Sequence, residues 1–522
     1  MARILSITMG LWIYLVLGLP ALVGCGNILV IAQDAEIWLE MRSMVEKIQQ
    51  KGHNIVLVIP KNNLIMDSSH GLIVKTYLAP VLEPGLNIYM DHTFSQSHVG
   101  SLLSAISTES RRMIYTASIL SRNCLHLLDD QALIHSLQRS VFDVAVMDPF
   151  FPCGPILAEQ LHLPSVYFLP KLPCGWDNRA MKCPDMNYAD VNDVHSFLQR
   201  IKTLLFQSIE YIACQQIEKE YAKLASQFLH KEVKFLELFS RAEILFYRYD
   251  SVLETPKPLM PNMVFIGGHS CDQNQKLTKD FENLVNSSGE HGFVVFSLGS
   301  MVSEIPMNKA MDIAEALGSI PQTVIWRYTG KVPSNLANNT HLVKWLPQND
   351  LLAHPKVRAF ITHAGSHGIY EGICNAVPMV MLPLFGDQMD NAKRIESRGA
   401  GVTLNVLDMT PEDLSNALDR VINDPSFKKN IDRLSALHLD RPVHPLDLAV
   451  HWVEFVMRHK GAPHLRPAAH DLNWIQYHSL DVFAFLLAVL VTTLFISFKC
   501  CTYTCRRCCG RKSRPKSKSK KE

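Results

Sequence analysis

The sequence has little net charge, and its basic residues are concentrated at one end. The 522 residues include 51 basic and 49 acidic side chains. Residues 499–522 hold ten of the basic residues, and without this tail 41 basic and 48 acidic residues remain. A mildly acidic body is a poor partner for nucleic acid, so we expect no nucleic-acid binding.

Several common enzyme patterns are absent. The sequence contains no nucleophile elbow, no P-loop and no zinc-deaminase pattern. No solenoid-type repeat or long low-complexity tract precedes the tail. His363 and His367 have the spacing of a metal-ligand pair, but Gly365 interrupts the helix between them. We therefore expect neither a metal nor a bound cofactor.

The number and spacing of the cysteines do not predict a disulfide pairing. Of thirteen, five lie in the tail and Cys25 follows the first apolar run. An odd number at irregular spacings allows one or two disulfides but assigns none. The remaining seven are Cys124, Cys153, Cys174, Cys183, Cys214, Cys271 and Cys374.

Both ends carry long apolar runs. Residues 1–25 are typical of a secretory signal peptide, although the length would also suit an uncleaved anchor. Residues 480–498 predict a transmembrane helix. Because the basic tail follows this helix directly, the positive-inside rule places the tail in the cytoplasm and the body in the lumen. The prediction is a single-pass type I protein.

Two α/β patterns divide the body. A strand at 27–33, a helix at 38–50 and a strand at 55–59 predict a βαβ opening. Proline density rises at 254–263, which indicates a linker. A second alternation of strands and helices follows and predicts a doubly wound parallel sheet. Its predicted strands are 293–297, 323–328, 341–344, 358–362, 380–383 and 402–404.

The predicted organisation follows from these boundaries. In chain order it comprises a signal peptide (1–25), a first domain (26–255), a linker (256–272), a second domain (273–440), C-terminal helices (441–479), a transmembrane helix (480–498) and the tail (499–522).

The most informative motif is THAGSHGIYE at 362–371, followed by FGDQ at 385–388. His363 is predicted to end a strand, and Gly365 to allow a tight turn into a helix. Unpaired N–H groups and the positive helix end can hold a diphosphate there without a metal. These amides belong to Ser366, His367 and Gly368.

Further side chains suit the rest of a nucleotide sugar. Glu371 could accept hydrogen bonds from ribose hydroxyls, while Asp387 and Gln388 follow the next strand and suit sugar hydroxyls. Trp345 could stack on a uracil ring, and the amide of Gln348 could pair with its edge. Together these residues predict a UDP-sugar site.

With these residues, the chain from about residue 260 onward resembles the UDP-glucuronosyltransferases, most closely the vertebrate members of family 1. The likeness continues through the DRP motif at 440–442, the KGAPH stretch at 460–464, the membrane run and the tail. The first half resembles the family more loosely. The resemblance implies a GT-B fold, with two Rossmann-like domains around a cleft. The first domain would bind the acceptor and the second the UDP-sugar, and 441–479 would pack back on the first domain.

The implied activity is transfer of glucuronic acid from UDP-glucuronate to small lipophilic acceptors, forming a β-glucuronide with inversion. Transfer of glucose or another sugar is one alternative, and a weakly active UDP-sugar-binding partner subunit is another. Related transferases are candidate partners in homo- or hetero-oligomers. Lys518 and Lys520 resemble a retrieval signal of the endoplasmic reticulum. Sequons at Asn286 and Asn338 fall in polar segments that we expect to be loops open to glycosylation.

The resemblance also assigns roles within the donor site. It adds Ser300, Arg327 and Arg248 as donor-site residues. An arginine fork can bind a carboxylate bidentately, so Arg248 favours glucuronate over glucose. The matched contacts are uracil for Trp345 and Gln348, diphosphate for His363, ribose for Glu371, and sugar hydroxyls for Asp387 and Gln388.

The catalytic pair of the family is incomplete. The family pattern is a base histidine in the first βα loop, oriented by an aspartate. Asp148 matches the aspartate, but Ile37 stands at the histidine position and cannot take a proton. Three explanations are open. In the first, the acceptors have no proton to lose or are already ionised. In the second, Glu36 or Asp148 acts as the base, directly or through water. In the third, the protein turns over poorly as a partner subunit.

Overall fold

Two parallel β-sheets form the body of the chain in the computed structural model. The structure describes residues 25–32, 35–61, 71–79, 102–169, 173–182, 197–254, 256, 258–269, 271, 275–299, 302, 305–384 and 386–509.

The first sheet arises from short apolar runs. Its strands are β1 (Asn27–Ile31), β2 (Asn54–Pro60), β3 (Ile73–Tyr77), β4 (Val144–Met147), β5 (Ser165–Leu169), β6 (Ala242–Tyr247) and β7 (Met263–Phe265). They are parallel, in the order β3-β2-β1-β4-β5-β6-β7. In β1, Ile28 and Val30 enter one core while Leu29 and Ile31 enter another. Both faces of the sheet are therefore buried, as is usual for parallel sheets.

Helices cover both faces of this sheet. They are α1 (Ala35–Gln50), α2 (Leu102–Asp129), α3 (Gln131–Gln138), α4 (Cys153–Gln160), α5 (Trp176–Met181), α6 (Phe197–Leu229) and α7 (Phe235–Phe239). The apolar stripe of α1, including Trp38 and Met41, packs in the core on one face. The other helices contribute to the core on the opposite face.

The second sheet has six parallel strands. They are β8 (Phe293–Ser297), β9 (Thr323–Arg327), β10 (Thr340–Val343), β11 (Val357–Thr362), β12 (Met379–Met381) and β13 (Gly401–Thr403). Their order is β10-β9-β8-β11-β12-β13. The helices of this half are α8 (Lys279–Ser287), α9 (Met307–Gly318), α10 (Gln348–Leu352), α11 (Ser366–Cys374), α12 (Gln388–Ser397), α13 (Pro411–Asn423) and α14 (Pro425–Leu439).

Each sheet has one point where the strand order reverses. In the first sheet it lies between β1 and β4, with Ile31 beside Met147. In the second it lies between β8 and β11, with Ser297 beside Thr362. Open α/β sheets bind ligands outside the carboxyl ends of the strands at such points. The topology therefore marks two site edges, one per sheet, and confirms the predicted doubly wound arrangement.

Helix α15 (Pro445–His459) returns to the first sheet. Its apolar face, including Val450 and Val453, enters the same core as α1. Polar contacts hold its carboxyl half. Glu454 lies 3.0 Å from the Lys51 ammonium and 3.4 Å from His53 Nε2. The Lys460 ammonium lies 2.6 Å from Asp143.

The chain divides into two compact units, with the boundary after Leu465. The second unit contains the short helix α16 (Trp474–Tyr477) and the long helix α17 (Leu480–Cys509). Within the described residues, α17 is the one helix long and apolar enough to cross a membrane. It continues beyond the predicted span of 480–498. The predicted signal peptide and residues 510–522 of the tail lie outside the described residues.

Three features differ from the predictions. Strand β7 falls inside the predicted linker, because the apolar run after the prolines completes the first sheet. Asn286, predicted to lie in a loop, is exposed but lies in α8, because the apolar periodicity of this segment outweighs its polar composition. Asn338 is exposed in a turn. Instead of one or two disulfides there are three, while Cys183 lies outside the described residues. The pairs are Cys124–Cys153, Cys174–Cys214 and Cys271–Cys374.

Acid should weaken the docking of α15. Burial raises the pKa of the Glu454 carboxyl. Hydrogen bonds from Lys51 and His53 lower it by more, so the net pKa is below its usual value. Because the pKa of Glu454 is lower in the folded protein than in the unfolded chain, its ionised carboxylate stabilises the fold. This stabilisation is complete above the unfolded pKa of about 4.5 and is lost as the pH falls through the folded pKa. We expect Glu454→Gln to lower the unfolding free energy by about 1 kcal/mol at neutral pH.

Thermal unfolding of the full chain in detergent between pH 7 and pH 4 measures this effect. Glu454→Gln should also reduce the acid-induced loss of melting temperature. Glu46→Gln is the matched control, because it removes only the half-buried pair with Arg42 within α1. Equal behaviour of the two variants would contradict a role of Glu454 in docking.

Candidate active site

The predicted donor residues gather at the reversal point of the second sheet. His363 and Gly365 follow β11, Asp387 follows β12, Arg327 ends β9, and Trp345 follows β10. Because all of these strands are parallel, their carboxyl ends share one edge of the sheet. The structure thus brings these side chains to one region. Ser300 lies outside the described residues.

His363 is held between two glycines. A Cβ atom on Gly299 or on Gly365 would lie 2.6 Å from the imidazole ring, so only glycine fits at either position. Burial, with a smaller contribution from the positive charge of Arg327, lowers the pKa of His363 to about 4. The ring is therefore neutral at pH 7. Its Nδ1 is buried with no hydrogen-bond partner among the described residues, a state that a ligand would relieve.

The turn into α11 differs from the prediction. The left-handed residue is Ala364, with φ of 64°, whereas Gly365 is extended, with φ of −61° and ψ of 147°. Gly365 is thus required for the close approach of His363 and not for the turn. No side chain caps the helix, so the first amides of α11, from Ser366 onward, remain available to an anion.

The predicted base and ribose contacts are neighbours. Gln348 Nε2 donates a hydrogen bond to Glu371 Oε2, and Glu371 Oε1 lies 3.4 Å from His367 Nε2. Trp345 is 56% exposed, and the Arg327 guanidinium lies 5.6 Å from its ring centroid. A large exposed aromatic face beside this polar cluster can stack on a nucleobase.

Asn391 is a site residue that the sequence analysis missed. Its Nδ2 donates to the Ala364 carbonyl and to Asp387 Oδ2, each at 3.1 Å. It thereby joins the loop after β11 to the loop after β12. Gln388 holds the second loop from its other side, since its Oε1 accepts a hydrogen bond from the Leu384 amide at 2.8 Å. The signal available in the sequence is an asparagine one helical turn after Asp387.

Arg248 lies at the end of β6 and therefore belongs to the first sheet. It is 8% exposed, and its guanidinium lies 5.9 Å from the Phe168 ring centroid. Burial and then the positive charges of His367 and Arg248 lower the pKa of the nearby His269 to about 3. His269 is therefore neutral at pH 7.

A buried carboxylate connects the two halves. The Asp250 amide donates to the Tyr370 hydroxyl at 2.7 Å. Asp250 Oδ2 lies 2.6 Å from His438 Nδ1 and 2.5 Å from Arg441 Nη2. Tyr370 belongs to α11, so these contacts fix the donor-site helix against the segment that follows β6.

The predicted catalytic aspartate lies at the reversal point of the first sheet. Asp148 follows β4, is 2% exposed, and accepts a hydrogen bond from the Phe150 amide at 2.8 Å. The first turn of α1 begins beside it, after β1, because Ile31 and Met147 are paired. The backbone of Ile37 is in this turn, but the side chains of Glu36 and Ile37 lie outside the described part.

Solved glycosyltransferases share this architecture. The glycotransferase of kitacinnamycin matches with a TM-score of 0.58 and 15% identity, covering 85% of this chain and 100% of that chain. Os79 from O. sativa in complex with UDP matches with a TM-score of 0.56 and 16% identity, covering 83% and 100%. At this identity the likeness shows the fold alone. The two sheets and their site edges define a GT-B glycosyltransferase fold, as predicted.

Sequence comparison gives the family. The model for "UDP-glucoronosyl and UDP-glucosyl transferase" matches residues 26–515. UDP-glucuronosyltransferase 1A1 of Homo sapiens is 54% identical over 521 residues, covering 97% of each chain. UDP-glucuronosyltransferase 1A6 of Homo sapiens is 55% identical over 503 residues, covering 95% of this chain and 94% of the relative. The chain belongs to the UDP-glucoronosyl and UDP-glucosyl transferase family, which implies a UDP-sugar donor and an acceptor substrate.

Removing the neutral donor at His363 should weaken UDP binding. We expect His363→Leu to lower the affinity about 10- to 100-fold, since a hydrogen bond to a charged group contributes about 1.5–3 kcal/mol. His363→Gln keeps a neutral N–H donor and should lose less. Isothermal titration calorimetry with UDP at pH 7 measures both. Equal losses for the two variants would show that the ring shape, not its donor, is required.

Asn391→Ala should disturb the donor site. With two loops released, we expect the KM for UDP-sugar to rise about tenfold while the acceptor KM stays within twofold, because roughly 1.4 kcal/mol of loop positioning is lost. Asn430→Ala is the matched control, since Asn430 makes a similar bond of 3.0 Å to the Gly399 carbonyl. Parallel changes in the two variants would refute a positioning role.

Proposed function

We propose that the protein transfers glucuronic acid from UDP-glucuronate to small lipophilic acceptors, with inversion at the anomeric carbon. The observation that carries the proposal is the uncapped amino end of α11 beside the neutral His363. This arrangement supplies donors to a diphosphate without requiring a metal. Membership of the family and the roughly 54% identity to UDP-glucuronosyltransferase 1A1 support the choice of reaction.

The chemistry follows from the donor half of the site. A lone pair on the acceptor attacks the anomeric carbon, the bond from that carbon to the UDP oxygen breaks, and UDP leaves with an additional negative charge. The α11 amides would face the position where this charge develops, and fixed donors need little reorganisation there. Trp345 and Gln348 would hold the uracil, Glu371 the ribose, and Asp387 and Gln388 the sugar hydroxyls.

Electrostatics favour glucuronate over glucose. Arg248 follows β6 and carries a full positive charge. Its guanidinium fork can bind a sugar carboxylate bidentately. Glucose offers no charge to this group.

The acceptor half favours nucleophiles that need no base. Isoleucine at position 37 cannot take a proton, and Asp148 is 2% exposed, so its carboxylate is poorly placed to contact a bound acceptor directly. Tertiary amines have no proton to lose, and carboxylates or acidic phenols are already ionised. We therefore propose these classes as the preferred acceptors.

We further propose that the protein is a single-pass type I protein of the endoplasmic reticulum membrane, with its catalytic body in the lumen. The apolar helix α17 and the basic tail support this orientation. Lys518 and Lys520 resemble a retrieval signal, and the exposed Asn286 and Asn338 are candidate glycosylation sites.

One assay tests donor, acceptor and orientation together. Microsomes containing the full chain would receive UDP-glucuronate or UDP-glucose with either a tertiary amine or a weakly acidic phenol. We expect product from UDP-glucuronate and the amine, with at least tenfold less from the phenol or from UDP-glucose. Detergent permeabilisation should raise the rate, because the site is lumenal. Equal rates before and after permeabilisation would contradict that orientation.

Ile37→His should restore a base. General base catalysis contributes about 10²–10⁴-fold, so we expect the phenol rate to rise by at least about 10²-fold while the amine rate changes little. Ile37→Leu is the control that alters shape without adding a base. Equal phenol and amine rates in the wild type would overturn the acceptor restriction, and no product with any pair would overturn the enzymatic function itself.

A further inference from the structure

A buried cluster away from the donor edge combines two thiol-bearing residues and an imidazole. Cys271 lies in the segment after β7, Cys374 ends α11, and His438 lies in the last turn of α14. Their Sγ and imidazole nitrogen atoms all lie within 4.8 Å of one another. Cys271 and His438 are buried, while Cys374 is partly exposed and leaves a route to solvent.

We propose that Cys271, Cys374 and His438 bind a Zn²⁺ ion whenever the Cys271–Cys374 disulfide is reduced. Two thiolates and one imidazole are ligands that zinc prefers, and water would complete a tetrahedral set. The disulfide and the metal would be alternative links between the same two segments.

The observed distances suit a tetrahedral ion. With Zn–S of about 2.3 Å and Zn–N of about 2.0 Å, the sulfur and nitrogen of neighbouring ligands are about 3.6 Å apart. Cys271 Sγ and His438 Nε2 are 3.6 Å apart in the structure. The second sulfur has to move away from Cys271 once the disulfide opens, because two sulfurs on one ion are about 3.8 Å apart. A rotation of the Cys374 side chain can provide this movement.

The imidazole is already oriented for this role. Its Nδ1 lies 2.6 Å from Asp250 Oδ2, and the anionic acceptor places the proton on Nδ1 and leaves the lone pair on Nε2, toward Cys271. Arg441 Nη2 donates to the same carboxylate oxygen and also lies 3.3 Å from His438 Nε2, so the guanidinium has to turn away from Nε2 when a cation binds there. The Gly268 backbone packs closely on the cluster, since a Cβ atom there would lie 2.2 Å from His438 Nε2 and 2.9 Å from Cys271 Sγ.

The chemistry balances without any further cofactor. Two low-molecular-weight thiols, which act as the reductant, supply two electrons and two protons to the disulfide and become a disulfide themselves. Zn²⁺ then displaces the two thiol protons from Cys271 and Cys374. Because the cluster lies apart from His363 and His367, the metal takes no part in the transfer step itself.

Cobalt spectroscopy on the full chain tests the proposal. The tail cysteines Cys500, Cys501, Cys505, Cys508 and Cys509 would first be replaced by serine to remove competing thiols. After anaerobic reduction with a phosphine, Co²⁺ should bind with a thiolate-to-cobalt charge-transfer band and the d–d bands of a tetrahedral site. Zn²⁺ should then bleach both, and the oxidised protein should show neither.

Variants separate the ligands from their surroundings. Cys374→Ser should abolish the charge-transfer signal of this site, whereas Cys174→Ser, in a different disulfide, should keep it. His438→Gln should weaken Co²⁺ binding at least tenfold. Tyr370→Phe disturbs Asp250 but removes no ligand, so it should retain the spectrum. Absence of the tetrahedral spectrum in the reduced protein, or equal spectra for the parent and Cys374→Ser, would overturn the proposal.

Discussion

The buried carboxylate of Asp250 is the contact on which the geometry of the site depends. It follows a strand of the first sheet, yet its partners Tyr370, His438 and Arg441 belong to the second half. Burial raises its pKa, but the hydrogen bond from His438 and the positive charges lower it overall, so it is ionised at neutral pH. Breaking such a buried charged pair costs about 3–5 kcal/mol. Because Tyr370 lies on α11, its hydrogen bond to Asp250 also orients that helix and its amino end.

We expect the amino end of α11 and His363 to bind the diphosphate with partial charges rather than with full ones. A helix end contributes roughly half a unit charge, and a neutral imidazole adds a donor without a charge of its own. His363 stays neutral because burial and Arg327 both oppose its protonation. UDP leaves with more negative charge than it had in the bound sugar, so fixed dipoles stabilise the transition state more than the ground state. Moderate attraction also allows UDP to dissociate after transfer.

The sequence predicts those features that depend on local patterns. Strand β8 is predicted to the residue, because five apolar or small residues stand between polar turns. Features that depend on tertiary contacts are not predictable in this way. The left-handed turn at Ala364 is not predictable, because the neighbouring glycine adopts such a conformation more readily. The role of Gly365 depends on its packing against His363, which is a tertiary contact. The role of Asn391 cannot be predicted from its position in the first turn of a helix, because its partners lie in the loops after β11 and β12.

Isoleucine stands at position 37, where the family pattern has a histidine, and Asp148 nevertheless has a structural role in the fold. Its carboxylate accepts a hydrogen bond from the Phe150 amide two residues later and so shapes the turn into α4. Tyr221 donates to the Phe150 carbonyl at 3.3 Å, and the disulfide between Cys124 and Cys153 fixes the end of the same turn. Asp148 thus has a structural role that does not depend on a base at position 37. Isoleucine in place of histidine at position 37 can then change the acceptor chemistry while the turn between β4 and α4 keeps its shape.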